Sequence, residues 1–231
     1  MGSSLHHSLM RVGDHLNSKT IHALKGVVKY LEVGFLMRQM GYRLNRVEKW
    51  VKQREELFDI VGREAGDRHV LYLEFGVYQG AATRYWSKIL RNPKSRLHGF
   101  DSFEGLPEDW HEVKEVLGRG HFSTNGAIPV IDDLRVQFFK GWFDQTLASY
   151  QVPEHEVLAI NFDADLYSST KCVFDHLAPY IVPGTYLYFD EFNCTQDEMR
   201  AFREFSSTSK YRFVLRGSTW SLQKVLFQCV A

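Results

Sequence analysis

The segment that decides the fold is YLEFGVYQGAATRYW, which runs from Tyr72 to Trp86. Its apolar beginning ends in a carboxylate, Glu74, and glycines follow at positions 76 and 80. A helix-like pattern begins directly after Gly80. The order of strand, glycine turn and helix is typical of a nucleotide-binding α/β unit, because glycines allow a tight turn and close approach of the backbone to a ligand. We therefore expect one half of a cofactor pocket at this turn.

The same turn argues against a dinucleotide. It lacks the GxGxxG pattern that cradles a pyrophosphate, and a carboxylate at the strand end would repel that group. Glu74 suits a cationic ligand, such as an amino group or a sulfonium, instead. Taken alone, the motif also agrees with a purely structural strand–turn–helix.

Strand and helix patterns alternate along the rest of the chain. Seven strands are predicted in the segments 69–76, 95–103, 136–143, 157–166, 185–192, 211–217 and 224–230. Helical patterns lie between most of them, which indicates a mostly parallel sheet covered on both faces. The last two strands are separated by a short turn and predict an antiparallel hairpin. The predicted fold class is α/β, with a doubly wound, mostly parallel seven-stranded sheet of the Rossmann-like methyltransferase type.

The N-terminal part has a different pattern. Residues 1–17 are expected to be a tag or disordered. Apolar residues at helical spacing over 18–66 predict an N-terminal helical extension, with breaks at Gly34 and Gly41. This extension is interpreted either as helices that cover the domain or as an arm for a homo-oligomer or a lid. The domain proper is predicted to span 67–231.

The composition of the chain argues against several classes of protein. The chain of 231 residues has a formal net charge of zero, so its charge suggests no nucleic-acid partner. It has no apolar run long enough to cross a membrane and no signal-peptide pattern. Its three cysteines are far apart and form no CxxC pair, so they indicate neither a disulfide framework nor a zinc site. A cytoplasmic location is therefore expected.

Further cofactor contacts are predicted at the next strand ends. Asp101 lies 27 positions after Glu74, at the end of the second strand, where an acidic residue commonly accepts hydrogen bonds from ribose hydroxyls. The alternative is that Asp101 or Ser102 caps a helix. Trp142 and Phe143, after the third strand, are expected to form an apolar wall for an adenine ring, with core packing as the alternative.

A second group of carboxylates follows the fourth and fifth strands. Asp163 and Asp165 end one strand, and Asp190 and Glu191 end the next. Like charges this close raise one another's pKa unless a cation neutralises them. A divalent metal such as Mg²⁺ is the predicted cation, because the ligands are all oxygens. The alternatives are helix capping by Asp163 and Asp165 and a solvated loop for the other pair.

The chain resembles the macrocin-type O-methyltransferases, a class I S-adenosylmethionine-dependent family. The resemblance rests on LEFGVYQG, GFDSFEGLPEDW, GWFDQTL, DADLYSSTK and PGTYLYFDEF, in that order, over residues 70–192. It implies O-methylation of a small-molecule hydroxyl, in that family the hydroxyl of a natural-product sugar, with S-adenosylmethionine and Mg²⁺. The metal ligands would be Asp163, Asp190 and Glu191, and Asp165 would be the general base.

The predicted cofactor-binding residues, taken together, are Glu74, Phe75, Gly76, Tyr78, Gly80, Thr83, Asp101, Ser102, Trp142, Phe143 and Asp163. The family usually has two consecutive aspartates where this chain has Asp190-Glu191. The long loop 104–133 is expected to act as a lid over the substrate. The alternatives are a metal-independent methyltransferase and a binding protein that retains the cofactor fold without catalysis.

Overall fold

The computed structural model of the protein describes residues 2–111 and 116–231, and its centre is one mixed β-sheet. The strands, in chain order, are β1 (Trp50–Val51), β2 (Val70–Phe75), β3 (Arg96–Asp101), β4 (Trp110–His111), β5 (Val116–Leu117), β6 (Val136–Lys140), β7 (Val157–Phe162), β8 (Tyr186–Phe189), β9 (Arg212–Thr219) and β10 (Val225–Val230). The helices are α1 (Gly2–Asp14), α2 (Ser18–Gln39), α3 (Glu55–Ala65), α4 (Ala81–Ile89), α5 (Phe143–Ala148), α6 (Tyr167–Leu177) and α7 (Glu198–Thr208).

The main sheet has the order β1-β9-β10-β8-β7-β2-β3-β6. Strands β6, β3, β2, β7 and β8 are parallel to one another, and β10 runs antiparallel to both β8 and β9. All seven predicted strands and the terminal hairpin are therefore confirmed. The sheet has an eighth strand, however, because the two residues of β1 pair in parallel with β9. A segment of two residues has no periodicity from which it could be predicted.

Helices cover both faces of the sheet, as the alternating pattern predicted. One apolar layer joins the sheet to α3 and α4, with Phe58 and Trp86 at its centre. The other joins it to the end of α2 and to α5, α6 and α7, with Phe174 and Phe202 buried in it. Burial on both faces explains why β2 and β7 read as continuous apolar runs rather than alternating ones.

The N-terminal segment is helical, and its second half is part of this packing. Helix α2 continues through Gly34, so the break predicted there is wrong, and it ends just before Gly41, which has a φ of +88°. Only the last turns of α2 are buried, at Val33, Leu36 and Met37. Strand β1 then joins the sheet and α3 packs on it. Residues 2–14 form helix α1, where a tag or disorder was expected.

The long segment after β3 is held to the body of the protein by backbone contacts. It contains the small antiparallel hairpin of β4 and β5. The Phe103 carbonyl accepts hydrogen bonds from the N–H groups of Thr124 (3.2 Å) and Gly126 (2.9 Å). These contacts place the segment over the carboxyl ends of the central strands.

Within the described residues, no helix has both the length and the apolar character that a bilayer crossing requires.

Candidate functional site

The carboxyl ends of the parallel strands open into a cavity of about 860 Å³. Open α/β sheets bind ligands at this edge, where neighbouring connections leave in opposite directions. Its floor is formed by the residues after β2, β3, β6, β7 and β8, and its rim includes Trp110, Arg119 and Phe122 of the long segment. This volume is in the upper part of the range for small-molecule sites, which is enough for a cofactor and an acceptor together.

Glu74 lies at the bottom of this cavity and is 1% exposed. Its Oε2 accepts hydrogen bonds from the hydroxyls of Thr83 (2.5 Å) and Tyr72 (3.0 Å). No group within the described ranges donates to its Oε1. Burial raises the pKa of Glu74 to about 7, while the bonds from Thr83 and Tyr72 act in the opposite direction. A cationic ligand next to Glu74 would therefore favour its ionised form, the carboxylate.

The glycine turn after β2 is required by a close backbone contact. Gly76 has a φ of +92°, and a Cβ built on it would lie 1.8 Å from the carbonyl oxygen of Asp163. No side chain fits there. The contact brings the end of β2 against the end of β7, so that the predicted cofactor turn and the carboxylate group form one site.

Asp101 holds the turn from the neighbouring strand. Its Oδ2 accepts the backbone N–H groups of Val77 (2.8 Å) and Tyr78 (2.7 Å), and its Oδ1 accepts that of Phe103 (2.6 Å). Tyr78 and Phe103 have positive φ values of 50° and 60°. The carboxylate therefore stabilises two left-handed residues, and it also lines the cavity where the ribose contact is predicted.

Aromatic side chains form one side of the cavity. Trp142 and Phe143 both line it, as expected for a wall against an adenine ring. Phe143 is held by an edge-on contact with Phe75, with ring centroids 5.4 Å apart. Tyr78 and Phe122 meet edge to face across the mouth at 5.9 Å. Phe122 comes from the segment that was predicted as a lid.

The structure brings most of the predicted cofactor residues to the cavity wall. Those that line it are Glu74, Gly76, Tyr78, Asp101, Ser102, Trp142, Phe143 and Asp163. The other three lie outside the wall. Phe75 points to the opposite face of the sheet from Glu74, Thr83 supports Glu74 from behind, and Gly80 precedes α4 at a φ of +74°.

Asp165 lines the cavity with a positive φ of 59°. Its carboxyl group has no hydrogen-bond partner in the part of the chain that the structure describes. Burial raises its pKa to about 8, and the nearby charges of Glu191 and Asp190 add to this effect. A general base works best when its pKa is near the working pH, so the geometry and the pKa both suit Asp165 to accept a proton.

Two basic residues that the sequence analysis missed lie among the other carboxylates. Arg54 Nη1 is 3.3 Å from Asp163 Oδ2 and 3.3 Å from Asp190 Oδ1. The Lys224 ammonium contacts Asp190 Oδ2 and lies 3.4 Å from Glu191 Oε1. Burial lowers the pKa of Lys224, but the charges of Asp190 and Glu191 outweigh burial and raise it overall. The signal in the sequence was the crowding itself, which requires a cation of some kind.

Asp190 is almost fully occupied by these contacts. The Tyr188 hydroxyl donates to its Oδ1 at 2.6 Å, next to Arg54, and Lys224 takes its Oδ2. Glu191 also lines the cavity and accepts two bonds from Gln223 Nε2, at 2.7 and 2.9 Å. The predicted metal ligands therefore already bind side-chain donors.

This donor set does not fit a resident Mg²⁺. The ion needs near-octahedral oxygen ligands at about 2.0–2.1 Å, whereas two side-chain cations bind the carboxylates here. Among residues 2–111 and 116–231, no three His, Cys, Asp or Glu side chains are placed to share one metal ion. Arg54 and Lys224 supply positive charge where the sequence predicted a metal ion, and a metal at this position is not supported.

Comparison with known proteins gives a family and several relatives. The family model described as macrocin-O-methyltransferase (TylF) matches residues 55–216, more than two thirds of the chain. The 8-demethyl-8-(2,3-dimethoxy-alpha-L-rhamnosyl)-tetracenomycin-C 4'-O-methyltransferase of Streptomyces olivaceus is 30% identical over 138 residues, covering 52% of this chain and 52% of that protein. Mycinamicin III 3''-O-methyltransferase of Micromonospora griseorubida is 26% identical over 140 residues, covering 52% and 54%. The chain spans about half the length of these curated relatives.

Solved structures agree with the fold. The calicheamicin methyltransferase CalS11 superimposes with a TM-score of 0.57 at 24% identity, covering 75% of this chain and 77% of that one. The O-methyltransferase NovP gives a TM-score of 0.54 at 22% identity, covering 77% and 78%. Both support the Rossmann-like methyltransferase fold for the sheet described above.

Proposed function

This chain belongs to the macrocin-O-methyltransferase (TylF) family, and we propose that it transfers a methyl group from S-adenosylmethionine to a hydroxyl of a small molecule. The observation that carries the proposal is the convergence of Glu74, Asp101 and Asp165 on one cavity. The curated relatives are a methyltransferase of a rhamnosyl tetracenomycin and a methyltransferase of mycinamicin III, and the first of these supports a sugar hydroxyl as the acceptor.

The residues present suit the cofactor. Glu74 lines the cavity and has no described donor at Oε1, which supports a contact of this oxygen with the amino group of the ligand, and Gly76 leaves the backbone bare beside it. The Asp101 carboxylate is available to ribose hydroxyls, and Trp142 and Phe143 supply an apolar wall. When bound, S-adenosylmethionine supplies a methyl group on a positively charged sulfur, which is open to attack by an oxygen nucleophile.

The chain's own part in the reaction is to align the acceptor and to move one proton. Asp165 takes the proton of the acceptor hydroxyl and becomes a carboxylic acid as the new C–O bond forms and the bond from the methyl carbon to sulfur breaks, with S-adenosylhomocysteine as the product that leaves. Arg54, which also lines the cavity, stabilises the negative charge that develops on the acceptor oxygen. Alignment in a closed site contributes much of the remaining rate enhancement.

Calorimetry with S-adenosylhomocysteine tests this proposal. We expect saturable binding with one site per chain, and in the presence of chelator as well. Absence of binding in both magnesium-containing and chelated buffer would remove the methyltransferase interpretation and favour a protein that retains the fold for another ligand. Acceptor screening with natural-product glycosides would follow a positive result.

We also propose self-association through the N-terminal helices in a cytoplasmic protein. Support comes from α2, whose exposed face has the large apolar side chains Leu24, Val27, Val28, Leu31 and Phe35. A contiguous apolar face of this kind is more typical of an interface than of free surface. Light scattering of the wild-type chain and of Leu31→Ser tests the prediction, which is contradicted if both are monomers.

A further inference from the structure

One nitrogen of Arg54 bridges two carboxylates from neighbouring strands. Arg54 Nη1 is equally distant, at 3.3 Å, from Asp163 Oδ2 after β7 and from Asp190 Oδ1 after β8. The residue lies directly before α3 and lines the cavity. A positively charged group thus lies between the two carboxylates that the family resemblance assigns to a metal.

A second cation neutralises the remaining charge from behind. Lys224 comes from the turn between β9 and β10 and contacts the other oxygen of Asp190 and one oxygen of Glu191. It does not line the cavity. Arg54 is therefore the cation that an acceptor can reach, and Lys224 acts through Asp190.

The two side-chain cations carry the same positive charge as one divalent metal ion. Asp163, Asp190 and Glu191 are three carboxylates, and Arg54 and Lys224 together contribute two positive charges, which is the charge of one Mg²⁺. A divalent ion added to this arrangement would face two nearby cations and would have to displace them from Asp190, whose oxygens both accept hydrogen bonds.

We propose that Arg54 and Lys224 together replace the divalent cation in this site, so that methyl transfer proceeds without a metal and Arg54 is the cationic group that contacts the acceptor oxygen. The transfer step rests on the function proposed above. The replacement of the metal concerns only which cations bind the carboxylates, and it does not depend on that function. Arg54 Nη2 makes no hydrogen bond or ion pair to the described residues and is left for the acceptor. Lys224 is a positioning residue that keeps Asp190 in place for Arg54.

The test is Mn²⁺ binding followed by electron paramagnetic resonance, in the wild-type chain and in Lys224→Met. We expect no Mn²⁺ binding by the wild type at submillimolar concentration, and at least a tenfold gain in affinity when the ammonium is removed. Lys94→Met is the matched control, because Lys94 is exposed in the loop before β3; it should behave as the wild type. Tight Mn²⁺ binding by the wild type, or no gain in the variant, would overturn the proposal.

A second pair of variants keeps the test informative if Lys224→Met does not fold. Arg54→Met should also gain Mn²⁺ affinity, and Arg54→Lys, which retains the charge, should not. In the same samples, S-adenosylhomocysteine binding is measured with and without chelator. If the wild type does not bind S-adenosylhomocysteine in either buffer, the result counts against the proposed function alone. If the wild type binds S-adenosylhomocysteine or turns over only when metal is present, the result counts against the replacement of the metal alone.

Discussion

Thr83 donates its hydroxyl hydrogen to Glu74 Oε2 at 2.5 Å, while no group among residues 2–111 and 116–231 donates to Glu74 Oε1. The Tyr72 hydroxyl donates to the same Oε2. The two donors fix the orientation of the carboxyl group, while burial raises its pKa to about 7. The orientation of the glutamate in the motif LEFGVYQG thus depends on two residues outside the motif, a threonine nine residues later and a tyrosine two residues earlier in the strand.

The affinity for S-adenosylhomocysteine is expected to rise with pH through about 7. Only ionised Glu74 attracts the ligand's amino group, and the ionised fraction grows from about 10% at pH 6 to about 90% at pH 8 for a pKa of 7. Calorimetry across this range should show a several-fold gain. Glu74→Gln should bind more weakly and without this pH dependence; an unchanged pH profile in that variant would contradict the role.

The contribution of Glu74 to folding stability changes with pH in the opposite direction to its contribution to ligand binding. Its pKa in the folded protein lies above the ordinary value of 4.5, so the folded state binds more protons than the unfolded state between about pH 4.5 and 7. The contribution of Glu74 to stability is therefore present at low pH and decreases as the pH rises through this window. Urea unfolding of the wild type and Glu74→Gln at pH 5 and pH 8 measures the difference.

Replacing the proposed base should separate catalysis from binding. Asp165→Asn is expected to lower turnover by about 100-fold or more, because general base catalysis contributes about 10²–10⁴, while S-adenosylhomocysteine still binds. The wild-type kcat should rise with pH and level off above about 8, since burial places the pKa of Asp165 there. The exposed Asp132→Asn is the control. Turnover within a few-fold of wild type in Asp165→Asn would remove Asp165 from the mechanism.

The close contact at Gly76 predicts an unusually costly alanine substitution. Gly76 and Gly41 have nearly the same φ, +92° and +88°, but a Cβ on Gly41 would meet no atom within 4 Å. Gly41→Ala should cost about 1 kcal/mol of unfolding free energy for the strained backbone. Gly76→Ala should cost at least about 2 kcal/mol more, because the Asp163 carbonyl must move. Equal losses in urea unfolding would show that the contact is easily relieved.

Asp101 is predicted to matter for stability as well as for the ligand. Asp101→Asn replaces one accepting oxygen by an NH₂ group, which faces the backbone N–H groups of Phe103 or of Val77 and Tyr78. The loss should be about 2 kcal/mol, the magnitude of hydrogen bonds to a charged group. Asp175→Asn, which removes an exposed ion pair with Lys171, should cost less than about 1 kcal/mol. Denaturant titration compares the two.

Most of the sheet could be predicted from sequence because its strands are buried on both faces and therefore apolar along their length. The carboxylates at strand ends could be predicted too, since parallel strands place their carboxyl ends at one edge. Thr83, which was predicted to contact the cofactor, lies outside the cavity wall and donates a hydrogen bond to Glu74. The alternation of side chains along β2 already implied that Glu74 and Phe75 point to opposite faces.

The cations of the site could not be identified in the same way. Arg54 lies 109 residues before Asp163, and Lys224 lies 34 residues after Asp190. Their meeting depends on the sheet order, which places β10 beside β8, and on the position of α3. Carboxylate crowding predicts that some cation is present, but nothing in the local sequence distinguishes a metal from a side chain.

The two cations have a consequence for the order of events during synthesis. A ribosome makes Arg54 first, then the aspartates, and Lys224 only with the final hairpin. Until that hairpin has left the exit tunnel and paired with β8, Asp190 has Arg54 but not Lys224 as a cationic partner, and Glu191 lacks its ion pair with Lys224. Strand β10 lies between β8 and β9, and its residues Val225, Leu226 and Phe227 are buried in the core, so the sheet is also incomplete before then. The site therefore reaches its working charge state late, and a nascent chain halted before residue 224 would lack both Lys224 and β10, so that its core would be incomplete and its cavity incompetent.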